Sequence, residues 1–139
     1  MYTELGTTEV SVSALHSSVL CAEVVAALSP RAGGRYVDVT LGLGGHAEAI
    51  LEASAPDGVL IGIDRDERAL ELARLRLARF GSRVSFVHGR FSDLPSILAS
   101  SLVAGPVDGL VADLGVSSIQ LDDASRGFSF SASGPIDMR

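Results

Sequence analysis

Short apolar runs at 36–40, 59–63, 84–87 and 107–112 alternate along this chain with segments of helical spacing. No other feature restricts the fold as much. Strands separated by helices cannot pair through tight hairpins, so they lie parallel, with helices on both faces of the sheet. Right-handed crossovers then favour the strand order 3-2-1-4. The expected fold class is therefore α/β. In such sheets ligands bind beyond the carboxyl ends of the strands, at the switch point between strands 1 and 4.

The helical segments carry their own signals. Ser17 or Ser18 can cap a first helix in which Val19, Leu20, Val24 and Leu28 recur at helical spacing, and Pro30, Gly33 and Gly34 end it. A second helix is read over 46–53 and is closed by Pro56, Asp57 and Gly58. Asp66 can cap a third, with Leu70, Ala73, Leu77 and Phe80 along one face. Ser92 and Asp93 open a fourth, with Pro95 tolerated in its first turn. Residues 1–15 hold no sustained period and read as a loose leader to a domain over 16–139. From 115 to 139 the chain is polar, contains glycine and serine, and reads as functional loop, not core.

Composition narrows the setting. No apolar run approaches the roughly 20 residues a membrane span needs, and the first residues lack the basic start of a signal peptide. The expectation is a cytoplasmic protein without a membrane partner. The single cysteine, Cys21, cannot form an internal disulfide and reads as a small buried hydrophobe. A net charge of −6 weighs against a nucleic-acid partner for this chain alone. All 11 basic residues are arginine, which suits phosphate contacts but also follows from coding bias in an Ala- and Gly-rich chain. Six of them fall between Arg65 and Arg83, beside Glu67 and Glu71, and read as a solvated helix face.

The chemistry gathers at the strand ends. The first strand runs into Asp38-Val-Thr-Leu-Gly-Leu-Gly-Gly-His46. Gly42 and Gly44 permit a tight turn and close approach of a ligand to the backbone, and the N–H groups opening the next helix are donors. The second strand ends at Asp64, about 20 positions past the glycine loop, where a carboxylate can accept both hydroxyls of an adenosine ribose. Together these features point to a nucleoside-type cofactor. Gly42, Gly44 and Ala47 also fit a dinucleotide fingerprint, so an NAD-type oxidoreductase is an alternative. Asp38 weighs against it. A carboxylate just before the loop would repel a pyrophosphate but suits the amino group or sulfonium of S-adenosylmethionine. Asp113, at the end of the fourth strand, admits two readings. It can hydrogen-bond an exocyclic amine and localise its lone pair for attack on a methyl group, or it can serve the cofactor alone. No ligand spacing joins His16, His46 and His88, and no metal is expected.

Several collinear motifs carry a resemblance. Thr40-Leu-Gly-Leu-Gly-Gly-His46, Asp64-Arg-Asp66, His88-Gly-Arg-Phe91, Asp113-Leu-Gly-Val-Ser-Ser118, Gln120-Leu-Asp-Asp123, Arg126-Gly-Phe-Ser-Phe130 and Gly134-Pro-Ile-Asp-Met-Arg139 resemble the MraW-like ribosomal RNA small subunit methyltransferase H family. So does His16-Ser-Ser-Val-Leu20, and the match runs in order from His16 to Arg139. The resemblance implies a Rossmann-like S-adenosylmethionine-dependent methyltransferase fold. It implies N4-methylation of a cytidine in the 16S rRNA of the small ribosomal subunit, near the P site. It also implies that Gly44, Gly45, His46, Asp64, Phe91, Asp113 and Gln120 line the cofactor site, Phe91 as an apolar wall for adenine. Two departures stand out. Thr40 takes the place where such loops commonly have a first glycine, and Asp113 lacks the prolines that amine-directed methyltransferases usually place after the acid. The motif at Arg126 has no function derivable from the residues themselves.

Members of that family are expected to be about twice this length, with a helical insert and further strands after the Asp-Met-Arg segment. The chain is therefore expected to be the front part of a methyltransferase domain, with weak or no activity of its own. A non-catalytic nucleoside-binding module is the second reading. An apolar fourth strand without an outer neighbour is expected to favour self-association.

Overall fold

A computed structural model of the chain describes residues 20–100, 105–128 and 133–138. The leader, His16, the caps Ser17 and Ser18, Phe130 and Arg139 lie outside these residues. The elements run in the order α1 (Cys21–Leu28), β1 (Arg35–Asp38), α2 (Gly45–Ala53), β2 (Val59–Asp64), α3 (Glu67–Leu77), β3 (Val84–His88), α4 (Leu94–Ser100), β4 (Gly109–Val111) and α5 (Ser118–Asp122). The strands form one sheet in the order β3-β2-β1-β4, and every pairing is parallel. This is the expected α/β architecture. Asp38 is in register with Gly62 and Val111, and Asp64 with His88, so the carboxyl ends finish side by side.

Side chains alternate across the sheet with the period of a strand. Tyr36, Leu60, Val84 and Val111 belong to a core with Ile50 and Leu51 of α2 and Leu70, Ala73 and Leu77 of α3, and α1 adds Val24 and Leu28. Val37, Ile61 and Ile63 face the other way, onto Leu94, Ile97 and Leu98 of α4. Helices thus cover both faces. Asp66 caps α3 as expected, its carboxylate accepting from the Arg68 N–H at 3.0 Å. Leu70, Ala73 and Leu77 are fully buried, whereas Phe80 lies past the helix in a 3-10 turn over Ala78–Arg83.

Two expectations are corrected and one is refined. The fourth strand is shorter than 107–112. The Asp108 carboxylate takes the Arg35 N–H at 2.9 Å, and the Asp113 N–H goes to a side chain, so the backbone ladder is confined between them. Most arginines between 65 and 83 are exposed, as expected of a solvated face, but they also tie elements together. Arg76 and Arg79 bind Glu48 of α2, Arg83 binds the Gly58 and Leu51 carbonyls, Arg74 lies over Phe86, Arg68 binds Asp123, and Arg65 lines a cleft. The stretch after 115 is more than loop. It holds α5, a 3-10 turn over Ala124–Arg126, and the buried side chains of Gln120 and Arg126. No helix among the described residues is long and apolar enough to cross a membrane.

Candidate active site

The loop after β1 folds back over the sheet. The Leu41 N–H donates to the Ile63 carbonyl at 3.0 Å, and the Leu41 side chain sits on Gly62, where any Cβ would collide with it. The chain then turns through Gly44 at φ 81, a left-handed geometry that favours glycine. A Cβ on Gly44 would also stand 3.0 Å from Leu77. Gly44 therefore shapes the turn and packs against α3, and Gly45 and His46 open α2 beside a cleft of about 660 Å³. This cleft lies at the carboxyl ends of the strands, where the strand order places a ligand.

Asp64 lines it from the end of β2. One carboxylate oxygen accepts the Gly42 N–H at 2.7 Å and the other the Asp66 N–H at 2.9 Å. Each oxygen retains a second lone pair. The group is thus held by the backbone on two sides and can still accept hydroxyls. Phe91 follows β3 and lines the cleft with 57% of its surface exposed. Asp113 follows β4, is exposed and lines the cleft. Gln120 is buried at the wall formed by α5, where its Oε1 accepts the Ser117 N–H and its Nε2 donates to the Met138 carbonyl.

The structure therefore brings together Gly45, His46, Asp64, Phe91, Asp113 and Gln120 at one cleft. Gly44 and Asp38 stand behind it. Asp38 is 1% exposed. Its Oδ1 accepts the Thr40 N–H at 3.0 Å, and its Oδ2 has no hydrogen-bond partner. Burial pushes this carboxyl up to about 6, against the pull of the Thr40 N–H and the nearby His46 and with some help from Asp64. The expected direct counter-ion is thus set one layer back, because Thr40 lies between it and the cleft. Thr40 lines the cleft and joins two strand ends. Its Oγ1 accepts the Asp113 N–H at 2.7 Å and is 3.5 Å from Asp38 Oδ1, to which it can donate.

Sequence reasoning gave no site role to Thr40, Arg65, Arg90, Leu121 and Met138, which also line the cleft. Thr40, Arg65 and Arg90 lie inside the motifs that carry the resemblance, and each is next or close to a strand end, which was an available signal. Leu121 and Met138 come from a stretch without period, where the quoted motifs were the one available signal. His88 holds the turn after β2, its Nε2 3.0 Å from the Arg65 carbonyl oxygen. Cys21 is half-buried outside the cleft lining, and burial pushes its thiol up, which disfavours a nucleophilic thiolate.

Residues 13–139 match the model of the MraW methylase family. Ribosomal RNA small subunit methyltransferase H of Sorangium cellulosum is 61% identical over 124 residues, which cover 89% of this chain and 38% of that protein. The protein of the same name from Geobacter sulfurreducens is 59% identical over 124 residues, covering 89% and 40%. The chain thus spans about two fifths of the length of these curated relatives. Among solved structures, an rRNA methylase from Streptococcus thermophilus superposes with a TM-score of 0.56 at 19% identity, covering 73% of this chain and 57% of that one. A protein-L-isoaspartate O-methyltransferase gives 0.55 at 20% identity, covering 70% and 29%. At such identities the likeness is one of fold.

Proposed function

This chain belongs to the MraW methylase family, and from that premise we propose that it forms the cofactor-holding part of an S-adenosylmethionine-dependent methyltransferase acting on small-subunit ribosomal RNA. The observation that carries this reading is the pairing of Asp64 and Asp113 at one cleft, each fixed through a different strand end. The residues fit an adenosine-type cofactor. Asp64 has lone pairs free for the two ribose hydroxyls, and the exposed Phe91 offers an apolar face to adenine. Gly45 and His46 bring the start of α2 to the same space. Asp38, with an unpartnered buried oxygen, adds negative potential behind Thr40.

When bound, S-adenosylmethionine supplies an electrophilic methyl group. Asp113 serves the nucleophile. An exocyclic amine shares its lone pair with its ring, and a carboxylate that accepts one of its N–H groups localises that pair on nitrogen. The same carboxylate then receives the proton that the methylated nitrogen sheds. Thr40 Oγ1 fixes the backbone N–H of Asp113, which sets where its side chain leaves the chain. This chemistry fits an exocyclic amine such as N4 of a cytidine, and the family resemblance adds the rest of the reading, a cytidine in 16S rRNA near the P site, modified in the cytoplasm.

The test uses a full-length relative carrying the change equivalent to Asp113→Ala. Methyl transfer to small ribosomal subunits should fall by about 10²-fold or more, while cofactor affinity changes far less. Equal losses in both would assign Asp113 to the cofactor alone.

A further inference from the structure

Residues 117–128 and 133–138 pack against each other beside the cleft. Gln120 ties Ser117 to Met138, and the Asp137 N–H donates to the Arg126 carbonyl at 2.8 Å. Gly127, at φ 77, lets the chain pass so close to Gly134 and Pro135 that a Cβ there would strike both carbonyl oxygens. Leu121 and Met138 of this unit line the cleft. Arg126 points the other way, into the body of the protein. Its Nη1 donates to Asp66 Oδ2 at 2.7 Å and its Nη2 to Asp66 Oδ1 at 3.3 Å, with both side chains buried. Asp66 also caps α3, and its N–H holds Asp64. An unbroken series of bonds therefore runs from the wall of the cleft to the carboxylate proposed to hold the ribose.

A buried ion pair is a poor source of net stability, because desolvation offsets most of the attraction. A two-pronged guanidinium–carboxylate contact does fix geometry. We propose that Arg126 is a positioning residue for the cofactor. Its pair with Asp66 latches residues 117–128 and 133–138 to the β2–α3 turn, so that Gln120, Leu121 and Met138 stay against a ligand held at Asp64. This gives the Arg126 motif a role in cofactor retention, and it rests on the cofactor reading above. A purely structural anchor would order the segment without changing how long a ligand stays.

The test uses this chain, with S-adenosylhomocysteine as a non-reacting probe. Arg126→Gln should expose the amides of Leu121 and Asp137 to hydrogen exchange in the ligand-free chain while the Leu70 amide in α3 stays protected. It should also speed ligand dissociation by roughly tenfold or more, with little change in association. Arg126→Lys should recover part of both effects. Asp66→Asn keeps an N-cap acceptor for α3 and should repeat them, and the double variant should be no worse than either single one. Wild-type dissociation kinetics in Arg126→Gln, or lost protection with unchanged affinity, would overturn the latch alone. Failure of the wild-type chain to bind S-adenosylhomocysteine would overturn the cofactor reading and the latch with it.

Discussion

Asp38 shows what burying a single carboxylate does to a fold. It is 1% exposed, one oxygen is bonded to Thr40, and burial raises its carboxyl to about 6. An unfolded chain would release that proton near 3.9. Between about pH 4 and about pH 6 the folded state therefore holds a proton that the unfolded state has lost, so this group makes stability fall as pH rises through that window. The ionised form above the window costs about 3 kcal/mol relative to the protonated form below it. Asp38→Asn keeps an acceptor for the Thr40 N–H and has no charge to bury. Its urea midpoint, measured against the wild type, should gain steadily from about pH 4 to about pH 6 and then level off. A difference that does not vary with pH would mean that Asp38 is not buried as a lone carboxylate.

Between elements, the arginines carry much of the order. Glu48 of α2 accepts from Arg76 at 2.8 Å and from Arg79 at 3.0 Å. Burial alone would raise its carboxyl, but the two guanidinium groups hold it below the usual range. Arg83 donates to the carbonyls of Leu51, in α2, and Gly58, just before β2. Arg83→Met should strand both acceptors and lower the unfolding free energy by about 1–3 kcal/mol. Arg74→Met, which removes only a guanidinium over Phe86, should cost less than 1 kcal/mol, within roughly the value of an exposed cation–π contact. Equal costs in urea unfolding would show that Arg83 is no tie. These arginines mark the limit of reading by pattern. Strand order and the face carrying Leu70, Ala73 and Leu77 follow from periods of 2 and 3.6, which are local. The partner of Arg76, Glu48, lies 28 residues away in α2, so the nearby Glu67 and Glu71 gave no sign of the tie. Arg126 is harder still. Its partner is 60 residues distant, and the helix beside it, Ser118–Asp122, is too short to show a period. Asp64 and Asp113 were legible because strand ends announce themselves, whereas the retreat of Asp38 depends on how the Thr40 loop folds over it.

At the scale of the molecule, the carboxyl ends of a parallel sheet, the turn into α2 and residues after β4 line a cleft, and Gly45, His46, Asp64, Phe91, Asp113 and Gln120 meet there. Among the described residues β4 pairs with β1 alone, and Leu110 is 46% exposed. Sedimentation at several concentrations should therefore show association that increases with protein, and a monomer at every concentration would contradict this reading of the edge. The central claim concerns the cleft and is tested most directly by calorimetric titration of this chain with S-adenosylhomocysteine and, separately, with NAD. The account predicts binding of S-adenosylhomocysteine, no comparable binding of NAD, and a loss of at least about tenfold in affinity for Asp64→Ala, since the ribose hydroxyls lose a charged acceptor. Binding of NAD without S-adenosylhomocysteine, or an affinity that Asp64→Ala leaves untouched, would contradict it.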